Sequence, residues 1–291
     1  MAREFPEWIR RRWGSGESFA QTKAQLHDLG LHTVCQSARC PNQGECWARG
    51  TATFLILGSV CSRNCHFCSV ATGKPGSVDA DEPARVAEAV NRLGLRHAVV
   101  TSVTRDDLAD GGAAHFAAVV NAIRAKNPGT TVEVLTPDFQ GDAAAIGAVI
   151  DAGVDVFAHN IETVKRLYPE VRSPEANYER SLGVLKTAAD YGGCVVKSGL
   201  MVGLGETPDE VRAALSDLLG AGCTAVSIGQ YLRPGKAQRE VAEFVTPEQF
   251  AAYEKLAYDL GFEYAVAGPF VRSSYHAEEA LNAETRRAHG S

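Results

Sequence analysis

A strand followed by a helix recurs along this chain, and this alternation limits the folds that it can adopt. Six short apolar segments rich in β-branched residues have the character of buried parallel strands: 53–59, 97–103, 131–137, 154–160, 194–203 and 225–232. Between the first two, Val86, Val90 and Leu93 follow helical spacing. The alternation predicts parallel βαβ units with right-handed crossovers. Six strands are fewer than the eight of a closed barrel, so we expect an α/β fold with an open, partial (β/α)6 TIM-like barrel.

Two short motifs predict where helices begin. In "TPDE" (207–210), Thr207 is the expected N-cap, Pro208 the first helical residue and Glu210 the capping-box partner. The segment "TPEQ" (246–249) repeats this arrangement after the next predicted strand.

The same pattern divides the chain into three regions. Residues 1–50 precede the first predicted strand and form an N-terminal extension, whereas residues 51–261 form the barrel. Residues 262–291 form a C-terminal extension, in which "FEYAVAGPF" has the character of a further strand. We expect both extensions to cover the mouth of the barrel.

Composition and charge narrow the classes of function. The 291 residues are 45% hydrophobic, which is enough for a large core, and the net charge of −6 argues against nucleic-acid or anionic-membrane binding. No apolar run approaches the roughly 18 residues of a membrane-spanning helix, and the N-terminus lacks the apolar segment of a signal peptide. We therefore expect a cytoplasmic protein, where clustered cysteines indicate metal or redox chemistry and not structural disulfides.

Polar residues follow the predicted strands at the ends where a barrel of this kind carries its chemistry. Each alone is compatible with a hydrogen-bonding role in a loop, but their shared placement predicts one common pocket. They are Thr101, Ser102, Thr104, Arg105, His159, Asn160, Glu162, Lys197, Ser198, Gln230 and Tyr231.

A triplet of cysteines comes directly after the first predicted strand. In "CSRNCHFC", Cys61, Cys65 and Cys68 are spaced C-x3-C-x2-C. Three thiolates can hold three irons of a 4Fe–4S cube and leave the fourth iron free to bind a small molecule. A zinc site that adds His66 is the alternative, although zinc prefers a more open spacing of its four ligands.

The triplet, with Phe67 before its last cysteine, resembles the defining motif of the radical S-adenosylmethionine (radical SAM) enzymes. That resemblance implies a partial barrel and a cluster whose free iron binds the amino and carboxylate groups of S-adenosylmethionine. It also implies that one electron from the cluster cleaves the sulfonium and yields a 5′-deoxyadenosyl radical, which takes hydrogen from an unactivated carbon.

A second triplet, Cys35, Cys40 and Cys46, lies upstream in "CQSARCPNQGEC". Its C-x4-C-x5-C spacing alone also suits an electron-relaying cluster or a zinc site. Together with the first triplet, it resembles the lipoyl synthase family. So do "VTSVTRDDLADGGAAHF" (100–116), "HNIETV" (159–164), "SGLMVGLGE" (198–206) and "VRSSYHA" (271–277), so the resemblance covers nearly the whole chain.

The family resemblance implies a reaction with two clusters. One cluster makes the radical, and the auxiliary 4Fe–4S cluster, held by Cys35, Cys40 and Cys46, gives up its sulfurs. Two sulfurs are inserted at C6 and C8 of an octanoyl chain linked to a lysine of a carrier protein, and two S-adenosylmethionines are consumed. The carrier is a decarboxylase-complex E2 subunit or the glycine-cleavage H protein, and a flavodoxin or ferredoxin supplies electrons.

The resemblance also implies roles for individual residues. A serine of "RSSY" completes the auxiliary cluster. Successive side chains of an extended segment alternate, so only one of its two serines can face the cluster. We expect Ser274, with Ser273 as the alternative. The expected contacts to S-adenosylmethionine are Thr101, Ser102, Thr104, Asn160, Glu162, Lys197, Gly203 and Gly205. Arg172 or Lys197 could meet a carboxylate.

One segment departs from the family pattern. After "GQYL", Gln238, Arg239 and Glu240 replace a His-Leu-Pro-like stretch, which affects how this loop would meet substrate or carrier. Two other functions stay open from sequence: another radical SAM enzyme with a different substrate, and a non-catalytic iron–sulfur protein.

Overall fold

A computed structural model of the chain describes residues 6–9, 17–37, 40, 42–48, 53–274 and 280–281. The strands in these ranges are β1 (His32–Thr33), β2 (Thr53–Ile56), β3 (Val60–Cys61), β4 (Ala71–Thr72), β5 (His97–Ser102), β6 (Thr131–Leu135), β7 (Val156–Ala158), β8 (Val195–Val202), β9 (Ala225–Gln230) and β10 (Tyr264–Gly268). The α-helices are α1 (Glu17–Asp28), α2 (Val34–Ser37), α3 (Gln43–Ala48), α4 (Glu82–Arg92), α5 (Ala113–Lys126), α6 (Ala143–Asp151), α7 (Tyr168–Val171), α8 (Tyr178–Tyr191), α9 (Pro208–Gly220) and α10 (Pro247–Leu260). Short 3-10 helices span Glu7–Ile9, Phe139–Gly141 and Lys165–Leu167.

One large sheet organises the molecule. Its strand order is β1-β2-β5-β6-β7-β8-β9-β10. From β2 to β10 every neighbouring pair is parallel, and only the pairing of β1 with β2 is antiparallel. Within the described residues no pairing joins β10 back to β1. The predicted open, TIM-like α/β barrel is therefore confirmed, with helices between the successive parallel strands.

The six predicted strands are all present, with ends that differ by a few residues. The first ends at Ile56 and not at residue 59, because Leu57 and Gly58 have φ angles of 66° and 94°. The left-handed conformation turns the chain out of the sheet. Glu82 stabilises this turn, since its carboxylate accepts a 2.8 Å hydrogen bond from the Leu57 amide.

Both predicted helix starts are confirmed. The Thr207 side chain accepts a hydrogen bond from the Glu210 amide, and the Glu210 carboxylate accepts one from the Thr207 amide, which completes a capping box. Thr246 caps α10 by accepting from the Gln249 amide. The predicted apolar helical face is also buried, as the enclosed Val86 and Val90 of α4 illustrate.

The two proposed extensions contribute to the sheet itself. β1, from residues 1–50, pairs with β2, whereas β10, from residues 262–291, continues the sheet in parallel beside β9. Parts of both extensions lie outside the described residues. No helix in the described part of the chain is long and apolar enough to cross a membrane.

Candidate active site

The first cysteine triplet lies on a closed loop at the carboxyl end of β2, which we call the cluster loop (residues 61–72). The short parallel pairing of β3 with β4 closes this loop. Its start also contacts the neighbouring strand end, because the Ser62 amide donates to the Thr104 carbonyl oxygen at 3.0 Å. The loop therefore presents Cys61, Cys65 and Cys68 at the barrel mouth.

Backbone amides point at the sulfurs of the cluster loop. The Sγ of Cys61 accepts from the amides of Arg63 at 3.4 Å and Thr104 at 3.3 Å, and the Sγ of Cys68 accepts from Val70 at 3.5 Å. Such hydrogen bonds stabilise thiolates and tune iron–sulfur clusters. Burial raises the pKa of Cys68 to about 11 and also raises that of Cys65, so a bound cation is needed to keep these sulfurs charged.

The cysteines of the cluster loop suit a cluster better than a single metal ion. Among the described residues, no three Cys, His, Asp or Glu side chains converge to hold one metal ion. In a 4Fe–4S cube each cysteine binds a different iron, so convergence on a single point is not required. The donor set and the amide-to-sulfur hydrogen bonds together fit a cube.

Arg63, within the cluster loop, forms a buried ion-pair network. Its guanidinium contacts Asp106 through Nε at 2.8 Å and Nη2 at 2.7 Å. It contacts Asp138 through Nη1 at 2.9 Å and Nη2 at 2.8 Å. Burial raises the pKa of Asp138, but the hydrogen bonds and charge of Arg63 outweigh this and lower it to about 2. The network fixes the cluster loop to the ends of β5 and β6.

A cavity of about 150 Å³ lies directly against the three cysteines. Three buried polar atoms on its walls have no hydrogen-bond partner in the structure: Ser102 Oγ, Asn160 Oδ1 and Arg172 Nε. Unsatisfied buried groups are costly, so they indicate a polar ligand. Thr101, Thr104 and Glu162 also line this cavity.

Glu162 and Arg172 bring opposite charges to the same cavity. Glu162 Oε1 lies 3.9 Å from Arg172 Nη1, and Glu162 has a left-handed φ of 67°. Burial raises the pKa of Glu162, whereas Arg172 lowers it. An acidic side chain, a guanidinium and free hydroxyl and amide groups beside three cysteines suit a zwitterionic, hydroxyl-bearing ligand.

A larger cavity of about 650 Å³, the central cavity, opens beside the first one. Its walls include Cys35 and Cys40 of the upstream triplet, Cys68 of the cluster loop, and Ser273 and Ser274 near the C-terminus. Three distant parts of the chain thus meet around one space. Its size falls within the roughly 300–1,000 Å³ that is typical of small-molecule sites.

Residues 271–274, which we call the serine turn, fold back over the barrel mouth. β10 ends at Gly268, and the carbonyl oxygen of Val271 then lies so close to Gly229 that a Cβ on Gly229 would be 2.2 Å away. The side chain of Asn42 donates a 2.5 Å hydrogen bond to the Phe270 carbonyl oxygen. The N-terminal cysteine region is therefore in direct contact with the residue that precedes the serine turn.

The two serines differ in their surroundings. Ser273 Oγ accepts a 2.7 Å hydrogen bond from Asn160 Nδ2, inside the barrel. Ser274 also lines the central cavity. Both residues lie in a turn and not in the extended segment that we expected, because the chain bends sharply where it meets the barrel. Tyr275 of the same motif lies outside the described residues.

Comparison with known proteins shows what this arrangement belongs to. The model of the radical SAM superfamily matches residues 55–218, and the model of the N-terminal domain of lipoyl synthase matches residues 2–40. The lipoyl synthase of Pyrobaculum calidifontis is 54% identical, with 99% of each chain covered. That of Rubrobacter xylanophilus is 53% identical over 98% of this chain and 89% of its own length. That of Caldanaerobacter subterraneus is 55% identical over 95% of this chain and 97% of its own length.

The chain belongs to the lipoyl synthase family. Solved structures of distant relatives support the fold alone. Methylornithine synthase superposes with a TM-score of 0.57 at 13% identity, covering 89% of this chain and 84% of that one. Streptococcus suis SuiB bound to S-adenosylmethionine gives 0.57 at 9% identity, covering 74% of this chain and 49% of that one. As a lipoyl synthase family member, the chain is a radical SAM enzyme whose cofactors are S-adenosylmethionine and two 4Fe–4S clusters.

Three of the residues that we expected to contact S-adenosylmethionine do not line either cavity. Lys197 is buried in an ion pair with Glu133. Gly203 has a φ of 93°, and a Cβ there would lie 2.2 Å from Gln230 Nε2 and 2.4 Å from the Glu243 carbonyl oxygen. Gly205 has a φ of 107°. These glycines therefore serve the path of the chain, and their contact with S-adenosylmethionine stays a prediction.

The segment that departs from the family pattern contacts the cluster loop. Gln238 donates through Nε2 to the Cys68 carbonyl oxygen at 3.1 Å, and the Arg239 amide donates to the His66 carbonyl oxygen at 2.9 Å. Arg239 also pairs with Glu170 at 2.8 Å. The departure is therefore next to the cysteines of the cluster loop, where we had expected an effect only on substrate or carrier.

Sequence reasoning overlooked two further elements of this lipoyl synthase family site. No local sequence pattern indicates the Arg63 network, since Asp106 and Asp138 are both far from Arg63 in sequence. Gly229 did offer a clue, because a glycine within a strand often marks the close approach of another backbone.

Proposed function

We propose that this chain is a lipoyl synthase that inserts two sulfur atoms, at C6 and C8, into an octanoyl chain carried on a protein lysine. The observation that carries the proposal is the central cavity. It has cysteines of both triplets and Ser274 on its walls. A substrate carbon held there is within reach of both the radical source and the sulfur source.

The cluster loop and the smaller cavity would hold S-adenosylmethionine. When bound to Cys61, Cys65 and Cys68, a 4Fe–4S cluster supplies the electron that cleaves S-adenosylmethionine to a 5′-deoxyadenosyl radical. Arg172 is suited to its carboxylate, because the guanidinium is buried and its Nε lacks a partner. Asn160 and Glu162 are suited to the ribose hydroxyls, and Thr101, Ser102 and Thr104, which line the same cavity, would face the methionine end.

The central cavity would hold the octanoyl chain. Apolar side chains form much of its wall, including those of Val34, Leu200, Met201 and Leu232. They exclude water from the reacting carbons, which protects a radical from side reactions. They also favour an unbranched hydrocarbon substrate through the hydrophobic effect.

Cys35, Cys40 and Cys46 would hold the auxiliary cluster that is consumed as the sulfur source. These cysteines lie on one compact stretch, in which the Cys40 amide donates to the Cys35 carbonyl oxygen and the Cys46 amide to that of Asn42. Arg272 lies near Cys40, and burial lowers the pKa of its guanidinium. We propose Ser274 as the fourth ligand, because Asn160 already occupies the Ser273 hydroxyl. An alkoxide binds iron less firmly than a thiolate. A serine ligand would therefore release its iron more easily than a fourth cysteine would.

The partners follow from this reaction. The octanoyl chain would arrive on a lipoyl carrier domain, either a decarboxylase-complex E2 subunit or the glycine-cleavage H protein. A flavodoxin- or ferredoxin-type protein would reduce the clusters, and the enzyme would act in the cytoplasm. Neither a nucleic acid nor a membrane is required.

One assay tests the proposal. The anaerobically reconstituted protein is incubated with an octanoyl-lysine peptide, dithionite and S-adenosylmethionine. The expected product carries two sulfurs, visible as a mass gain, together with 5′-deoxyadenosine. A Cys61→Ala control should form neither. Formation of 5′-deoxyadenosine without any sulfur on this peptide would point to a radical SAM enzyme with another substrate, and absence of both products would overturn the proposal.

A further inference from the structure

A buried ion pair lies inside the barrel, below the serine turn. Lys197 on β8 contacts Glu133 on β6, with Nζ 3.0 Å from Oε1 and 3.1 Å from Oε2. Both side chains are almost wholly enclosed, at 2% and 0% exposure. Buried charges of this kind are costly, and apolar residues of similar volume would fill the space as well. The pair therefore needs a further reason to be present.

The same ammonium contacts the serine turn. Lys197 Nζ donates a 2.6 Å hydrogen bond to the carbonyl oxygen of Ser273. Asn160 holds the hydroxyl of the same residue at 2.7 Å. Ser273 is thus fixed through both its backbone and its side chain. Gly199 makes this approach possible, because a Cβ there would lie 3.1 Å from Ser273 Oγ.

We propose that Lys197 is a positioning residue that fixes the Ser273 carbonyl and thereby presents Ser274 to the auxiliary cluster. In this arrangement both carboxylate oxygens of Glu133 accept hydrogen bonds from Nζ and direct it toward the turn. With Glu133 and the Ser273 carbonyl as acceptors, the ammonium spans the distance from the barrel interior to the serine turn. An apolar pair could fill the same space but could not hold a carbonyl oxygen. This inference rests on the proposed role of Ser274.

The test replaces the pair as a unit. In Glu133→Leu with Lys197→Met, no unpaired charge remains buried, so the barrel should keep its thermal stability. Amide hydrogen exchange of residues 271–274 should become faster, because the turn loses one of its two fixed points. With the auxiliary cluster bound, iron loss to a chelator should accelerate roughly 10- to 100-fold, the usual effect of removing a residue that orients a ligand.

One control variant and one alternative variant separate a local effect on the serine turn from a general loss of stability. Tyr178→Phe removes the 2.9 Å hydrogen bond to Asp217, which is remote from the turn, and should leave both exchange and iron loss unchanged. If the double variant does not fold, Glu133→Gln with Lys197→Gln retains a polar pair, but its amide is one bond shorter than the ammonium. That variant should show the same faster exchange at residues 271–274.

The results of these experiments distinguish failure of the Lys197 proposal from failure of the proposed function. Unchanged exchange of residues 271–274 in a folded pair variant would overturn the positioning role of Lys197. Faster exchange with unchanged iron loss would overturn the link to the cluster. Ser274→Ala tests the ligand itself: if it leaves iron loss unaltered, the ligand assignment fails, while the exchange measurement still decides whether Lys197 holds the turn.

Discussion

The side-chain amide of Gln238 donates a 3.1 Å hydrogen bond to the backbone carbonyl oxygen of Cys68. These residues are far apart in sequence, yet the contact joins the loop after β9 to the last cysteine of the cluster loop. The segment that departs from the family pattern thus helps to fix the position of the cluster loop.

Replacing Gln238 with Leu removes this hydrogen bond while preserving side-chain volume. A bond of this kind contributes about 1 kcal/mol, so the fold should survive and the cluster loop should loosen. We expect faster chelation of the iron held by Cys61, Cys65 and Cys68, and unaltered chelation of the auxiliary iron. Lys236→Ala, an exposed change in the same loop, is the matched control. Equal chelation rates in all three proteins would show that the contact does not support the cluster loop.

Removal of Arg63 should be far more damaging. Arg63→Met leaves Asp138 enclosed, with only the more distant Arg180 at 3.3 Å, and an uncompensated buried charge costs about 3–5 kcal/mol. Asp106→Asn should cost less, because Asp106 is 26% exposed and solvent screens it. Thermal unfolding of the three proteins gives the comparison. Equal losses for the two variants would contradict the central place of the Arg63–Asp138 pair.

Gly229→Ala tests whether the serine turn must approach β9. The added Cβ would meet the Val271 carbonyl oxygen at 2.2 Å and force the turn away, although the backbone of Gly229 itself is not left-handed. Cleavage of S-adenosylmethionine should be retained and sulfur insertion largely lost. Gly220→Ala, in a position with open space around the Cβ, is the control and should retain both activities. If Gly229→Ala inserts sulfur at the wild-type rate, the position of the turn is not critical.

The two triplets should be separable by mutation. Changing Cys35, Cys40 and Cys46 to Ala should lower the iron content from about eight to about four per chain. 5′-Deoxyadenosine should still form, and no sulfur should be inserted. Simultaneous loss of both activities would mean that the triplets do not divide the chemistry in this way.

His159 predicts a pH dependence of stability. Burial lowers its pKa from 6.5 to about 4 in the folded chain. The unfolded chain takes up this proton at higher pH, so the contribution is complete above pH 6.5 and is lost as pH falls toward 4. At about 1.4 kcal/mol for each pKa unit, the loss is about 3 kcal/mol. The free energy of unfolding, measured with urea on the metal-free chain, should therefore rise less steeply between pH 4 and 6.5 in His159→Asn than in the wild type.

The sequence predicts features that depend on neighbouring residues. Apolar runs between polar segments indicate the strands, and Thr207 with Glu210 indicates a helix start, because both patterns are local. The contacts of Lys197 with Glu133 and of Asn42 with Phe270 are not local. They depend on which strands become neighbours in the sheet and on where the chain crosses the barrel mouth, and no spacing in one segment encodes either.

The meeting of three chain segments at the central cavity has a consequence for biosynthesis. Translation delivers Cys35 and Cys40 first and the serine turn last of the three, after every strand of the sheet. A nascent chain that has just completed β9 therefore lacks one wall of the central cavity. The cavity can close only after the serine turn has been synthesised, so a chain that stops at the end of β10 would keep the sheet but leave the cavity open on one side.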